Sequence, residues 1–438
     1  MADKQLMNRV YGYLAEDEDA RVCKDIPENA CNEQPRSFVL MLISLMLTKL
    51  GDSLVSARLV LAWMLSALGA PPVFISALVP IRESLALLPQ LFVAQKLREQ
   101  PVRKWFWVAG SVGQAVSLAL MLVAVATLDG TALGWTVILF LITFSLSRGV
   151  CSVANKDVTG KTVSKTRRGR LSGVAASAAG LLTLVTALVI VMFPDVEGQR
   201  SLFLVLLGGG VLLWTCAAIT YAGIPEVAGA TEGGGNAISE ALKSLSLLWR
   251  NALFGHFVLT RALLVAAAFA IPYIVVLIQR EGDAGYTSLG SLLLASGLAG
   301  LLAGRFWGRW SDSASHHVMA AASVMSTLVM LVALAIYYWF PQALSSIWAA
   351  GGLMFLSAVA HHGARVGRKT YLVDMANQDN RAQLTAVSNT VMGVILLAGI
   401  LLGWLDASYG VAAVLWLLVG IGVLATLSSL SLKNVSGS

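Results

Sequence analysis

Twelve apolar runs, each about as long as a bilayer is thick, constrain this chain more than any other feature. They fall at 38–64, 72–94, 105–127, 134–154, 172–193, 201–223, 253–278, 286–304, 317–339, 344–364, 384–404 and 410–430. About 20 helical residues cross a hydrocarbon core. Backbone polar groups in lipid must be satisfied internally, so spans are helices or closed barrels, and these runs are too long for alternating barrel strands. The expected fold class is an all-α membrane protein with twelve transmembrane helices. Composition excludes the soluble classes, because 57% hydrophobic and 13% charged residues over 438 positions cannot cover a soluble globule with polar surface.

Orientation follows from the basic residues of the short loops. With the N-terminus inside, the inner loops hold Lys96, Arg98, Arg103, Lys104, Lys156, Lys161, Lys165, Arg167, Arg168, Arg170, Lys243, Arg250, Arg305, Arg309, Arg365, Arg368, Lys369 and Arg381, against Arg200 and Arg280 outside. Both termini are therefore expected to be cytoplasmic, in a bacterial-type inner (plasma) membrane. The net charge of +7 is topology and contact with inner-leaflet lipids, and no nucleic-acid partner is implied. Residues 1–37 form a polar N-terminal tail without a secretory signal's order. Its Cys23 and Cys31 are expected as reduced thiols, since no His or second Cys pair completes a four-ligand metal set.

The chain repeats. An offset of 213 residues pairs Val153, Lys156, Arg168, Leu171, Val174 and Gly180 with Val366, Lys369, Arg381, Leu384, Val387 and Gly393. An offset of 212 pairs Leu47-Thr48-Lys49 with Leu259-Thr260-Arg261. Two pseudo-symmetric six-helix bundles are expected, at 38–223 and 251–430, with a C-terminal tail at 431–438. Between the bundles lies a cytoplasmic linker, 224–250, with Gly233-Gly234-Gly235 and an amphipathic surface helix over 238–249.

Inside the runs stand five basic residues, Lys49, Arg58, Arg82, Arg148 and Arg261, against two acidic ones, Asp52 and Glu83. A cation at mid-membrane costs about 2.5–3.5 kcal/mol on insertion scales and normally faces an interior with a partner. Arg58 is expected near the outer surface, snorkelling to water. Lys49 and Asp52, three apart, share a helical face and can pair, and Arg82 and Glu83 can enter a cross-helix network. These pairings are either structural ties or part of a site. Arg148 and Arg261 have no acidic partner in their own helices, which points to a bound anion. Arg148 lies one repeat of 213 from His361, which is followed by His362.

Twelve helices, a 6+6 repeat, a longer central loop and short outer loops resemble the major facilitator superfamily. The family's signature loop, between the second and third helices of a half, is similar to Gly304-Arg305-Phe306-Trp307-Gly308-Arg309-Trp310-Ser311-Asp312, with Gly304, Gly308, Arg309 and Asp312 as gating or structural positions and Asp312 capping the next helix. The counterpart at 90–104 keeps basic residues but has neither Gly nor Asp. The resemblance implies a central cavity lined by the first and fourth helices of each half, which would gather Lys49, Arg148, Arg261 and His361 there; Arg82 completes the expected substrate-binding set. In the family's organophosphate antiporters a basic residue of each half's first helix grips phosphate, and Lys49 and Arg261 stand at those places. Asp52 and Glu83 are the candidate proton-coupling groups, with His361, His362 and His256 also able to carry a proton.

The expectation is a secondary active transporter, monomeric, moving a small anionic organic solute by alternating access with proton coupling. An organic anion/phosphate exchanger, a non-transporting sensor and a lipid flippase remain alternatives. An enzyme is not expected, for no nucleophile–base constellation or metal set is visible. No cofactor is implied, since Gly160-Lys161-Thr162 lacks the upstream glycines and strand of a nucleotide loop.

Overall fold

The computed structural model describes residues 7, 9–12, 26–88, 93, 96–97, 99–192, 199–229, 245–281, 286–376 and 381–435. In the first half α1 is Gln34–Leu54, α2 Val60–Ala67, α3 Pro72–Leu87, α4 Lys104–Thr127, α5 Gly130–Thr162, α6 Lys165–Met192 and α7 Gln199–Ala222. In the second half α8 is Ala252–Leu263, α9 Ala266–Glu281, α10 Tyr286–Trp339, α11 Ile347–Met375, α12 Arg381–Leu397, α13 Leu402–Tyr409 and α14 Val411–Leu430. Helix α10 is two arms that meet at Ala314, where φ is −156° and ψ 71°. Ten helices among the described residues are long and apolar enough to cross a membrane. The two remaining runs are α3, of 16 residues, and α11, whose last turns carry Arg365, Arg368 and Lys369. The order is consistent with twelve crossings in two bundles.

Each outward face follows the helical period. On α4, Val112, Val116, Leu120 and Val123 are exposed while Trp107, Gln114, Leu118 and Met121 are buried. That division gives one stripe to lipid and the other to the bundle. On α7 the exposed Val205, Leu212 and Ile219 recur every seven residues. At the end away from the termini, Trp135, Trp339, Phe340, Trp348, Trp404 and Tyr409 are exposed, the placing of an interfacial aromatic belt.

Within the first bundle α7 packs on α1 and α4, and α5 on α3 and α4. The contact of α1 with α7 is close because Gly51 has no side chain: a Cβ there would stand 2.4 Å from Cζ3 of the fully buried Trp214. Between the bundles, α6 packs on α10, α3 on α12 and α13, and α2 on α9. The distal ends are tied by Ser66 Oγ, which donates to Gln279 Oε1 at 2.5 Å, and by the hydroxyls of Ser76 and Tyr273 at 2.7 Å.

Several expectations change. The first long run is not one helix but α1 and α2, with a break over 55–59. The second half repeats the interruption at Leu264 and Val265. Lys156, Lys161, Arg365, Arg368 and Lys369 are helical rather than in loops, because α5 and α11 continue beyond their apolar stretches. Cys31 is disulfide-bonded, while Cys151 and Cys216 are free, so the reduced state expected for Cys31 does not hold; Cys23 lies outside the described residues. Of the amphipathic helix expected over 238–249, residues 238–244 lie outside the described residues, and the remainder includes the four-residue helix Leu247–Arg250.

A Gly51→Ala substitution is expected to destabilise the protein by about 1–3 kcal/mol, the usual cost of overpacking. Thermal unfolding in detergent measures it, and an unchanged melting temperature would show that Trp214 can move aside.

Candidate functional site

The first bundle concentrates charge around the α1 break. Asp52, two residues before the end of α1, uses both carboxylate oxygens: Arg82 Nη2 of α3 donates to Oδ1 at 2.9 Å, and Arg148 Nη2 of α5 lies 2.5 Å from Oδ2. The Arg82 guanidinium also sits 4.9 Å from the centroid of Phe144, one turn before Arg148 on α5. Three helices are thus tied through one carboxylate. A second tie joins Arg58 Nη2, in the α1 break, to Glu83 Oε1 of α3 at 2.8 Å. Arg58 therefore does not snorkel outward: the break turns it inward, with 22% of its side chain exposed, to meet Glu83. Three arginines face two carboxylates, so this cluster keeps one positive charge.

Lys49 takes no part in these ties. The Lys49–Asp52 pair allowed by spacing is absent, because Asp52 is already occupied from two other helices. Among the described residues no carboxylate lies within ion-pair distance of Lys49. Arg82 and Glu83 likewise do not pair with each other; each turns to a partner on another segment.

The second bundle meets its cation differently. Arg261 of α8 is 9% exposed, and its partners on α12 are neutral: Nη1 donates to Ser388 Oγ at 2.6 Å and Nη2 to Asn389 Oδ1 at 2.9 Å. Its Nε is buried without a hydrogen-bond partner. His361 of α11 is 7% exposed, and its Nε2 is also buried and unpartnered. Arg365 and Arg368 follow His361 by one and two turns, and their charges act on Glu83 across the bundles. Arg368 also acts on Arg261, and Arg365 on Lys49. The expected substrate-binding residues thus fall into two groups: Arg82 and Arg148 are engaged by Asp52, whereas Lys49, Arg261 and His361 are not engaged by any carboxylate among the described residues.

Arg365 and Arg368 went unread as site residues because they stand beyond an apolar run. The signal was their spacing from His361, which places all three on one helical face.

The signature stretch is not a loop. Gly304, Gly308, Arg309 and Asp312 all lie in helical backbone of α10, and the turn is the single break at Ala314. Arg309 is exposed; the cap expected of Asp312 falls on a side chain outside the described residues. In the first half a different residue supplies the missing carboxylate. Glu226, at the start of the linker, has a side chain with no exposed surface. It accepts from Arg103 N at 2.9 and 3.0 Å, from Lys104 N at 2.6 Å and from Lys161 Nζ at 2.8 Å, and so caps α4. Lys104 Nζ returns the tie, donating at 2.8 Å each to Ala222 O, on the last residue of α7, and to Ile224 O just beyond it. Asp157 completes the cluster, 2.5 Å from Arg103 and 3.3 Å from Lys161.

Paired helical bundles with charged residues gathered between broken helices define a membrane solute transporter. The chain belongs to the Major Facilitator Superfamily, whose sequence profile matches residues 41–394. It is not an enzyme. Solved structures agree on the fold. The nucleoside transporter NupG is 13% identical, with 90% of this chain and 100% of that one covered and a TM-score of 0.70. A D-xylose-proton symporter is 12% identical over 92% and 99%, with a TM-score of 0.67. A POT family transporter in complex with 5-aminolevulinic acid is 11% identical over 90% and 95%, also at 0.67. No curated protein matches the sequence.

Removing Asp52 leaves two guanidiniums without their anion, whereas Glu83 is 42% exposed and its loss is screened by water. Asp52→Ala is therefore expected to cost on the order of 3 kcal/mol and Glu83→Ala about 1 kcal/mol or less. Unfolding in detergent measures both, and equal losses would remove Asp52 as the tie that matters more.

Proposed function

We propose that this protein is a secondary active transporter that moves a small anionic organic solute by alternating access, coupled to protons. The observation that carries the reading is Arg261, a buried guanidinium whose hydrogen-bond partners among the described residues are the neutral Ser388 and Asn389. A buried charge is costly unless paired, and neutral partners leave its charge for an incoming carboxylate or phosphate. Lys49 and His361 support it from the other elements of the cavity, and Arg82 and Arg148 complete the binding set. The two bundles are assigned to 38–223 and 251–430, joined by the linker 224–250 and flanked by tails at 1–37 and 431–438. The basic residues at the termini-side end support assigning both termini to the cytoplasm of a bacterial-type inner membrane, and the chain is assigned as a monomer among its lipids.

Proton coupling is assigned to Asp52, with Glu83 second. Protonating Asp52 would release Arg82 and Arg148 together, so one proton changes the charge seen by a solute at two sites. Gly304, Gly308, Arg309 and Asp312 are assigned to the conformational change at the α10 break.

The test is a screen of anionic metabolites against purified protein by thermal shift. Arg261→Ala is expected to weaken binding of any hit more than tenfold, since a charged hydrogen bond contributes about 1.5–3 kcal/mol. Unchanged affinity removes the anion reading. Asp52→Asn is expected to abolish the dependence of uptake into proteoliposomes on a pH gradient, and persisting proton-driven uptake would pass the role to Glu83 or the histidines.

A further inference from the structure

Helices α5 and α11 are repeat equivalents, and the offset of 213 relates three positions on each: Arg148 to His361, Ser152 to Arg365, and Lys156 to Lys369. The positions are four apart on each helix, so each set forms one stripe down one face. The α5 stripe faces the interior, because Arg148 reaches Asp52 there. It then descends two turns, about 12 Å, toward the termini-side end at Lys156. The α11 stripe descends in the same way through Arg365 to Lys369, and Arg365, Lys369 and Lys156 are all exposed. Lys156 and Lys49 both act electrostatically on Lys369. Among the described residues none of Lys156, Arg365 and Lys369 has an ion pair.

The opposite end shows what this arrangement means. Ser66 and Gln279 stand within one residue of the 212 offset that relates the first helices of the two halves, and they hydrogen-bond directly at 2.5 Å. Two residues related by a pseudo-two-fold axis can touch only if they straddle it. The axis therefore passes through an attractive contact at the distal end. Lys156 and Lys369, related by the offset of 213, flank it with like charges at the termini-side end. Bringing that end together drives two cations toward each other unless an anion enters.

We propose that Lys156 and Lys369, with Arg365 beside them, form a second anion site across the axis at the termini-side mouth, and that this end closes only when a carboxylate or phosphate group bridges them. The proposal rests on the anionic-solute reading only for the source of that group. The solute's own anionic group, a free anion and a lipid headgroup share the chemistry.

The test uses the full chain with Ser76→Cys as reporter. Ser76 is buried at the distal contact, so its alkylation rate reports opening there. The protein is placed in phosphatidylcholine nanodiscs, and maleimide labelling of that peptide is followed by mass spectrometry. Lys156→Glu supplies the bridging charge permanently and is expected to raise the labelling rate several-fold with no added ion. Millimolar inorganic phosphate is expected to do the same with Lys156 intact and to do nothing after Lys156→Gln. A rise on replacing part of the phosphatidylcholine with phosphatidylglycerol, lost in Lys156→Gln, would identify the headgroup as a source. An unchanged rate in Lys156→Glu overturns the proposal. So does a phosphate response that survives Lys156→Gln; if it is then lost in Arg261→Ala, the response belongs to the central site and the anionic-solute reading stands alone.

Discussion

The carboxylate of Asp52 is the interaction on which the interior of the first bundle depends. A single side chain on α1 satisfies a guanidinium from α3 and another from α5, so the relative placement of three helices is written into one charge. Its position is set by packing: Gly51, the preceding residue, lets α1 approach Trp214 of α7 closely, and the helix stops at Leu54. Because Asp52 is taken, Lys49 one turn earlier is left without an ion pair among the described residues. The same residue thereby holds the fold together and decides which cations remain for a ligand.

The two bundles share topology and differ in chemistry. The first ties three of its four interior cations to Asp52 and Glu83, while the second holds Arg261 through an alcohol and an amide. Positions related by the repeat have diverged from Arg148 to His361 and from Ser152 to Arg365. The interior cations are therefore largely paired with carboxylates in the first bundle, whereas Arg261 in the second is held by neutral groups.

Much of this was legible in the sequence. Run length marks the membrane helices, the self-similarity agrees with a fold of two bundles, and Arg82, Arg148 and Arg261 are buried or partly buried. What escaped has identifiable causes. The α1 break contains neither Gly nor Pro over 55–59, so no local signal marks it, and on an unbroken helix Arg58 falls near the outer surface. The Lys49–Asp52 pair obeyed the rule for helical spacing, yet arginines on other helices reached Asp52 first, and spacing within one helix carries no record of them. Lys156 and Arg365 were read as loop residues because the end of an apolar run was taken as the end of its helix. Glu226 was invisible as a cap because it serves a helix more than a hundred positions away in the chain.

Glu226 also bears on how the two halves are joined. It is buried against the start of α4, and Lys104 holds the exit of α7 in return, so the first bundle carries its own closing group on the chain that leaves it. Residues 230–244 join that point to the second bundle. A polypeptide divided within that stretch would keep Glu226 on the same fragment as the α4 end that it caps. That makes it a natural place to separate the halves for co-expression and to ask how far each one folds before it meets the other.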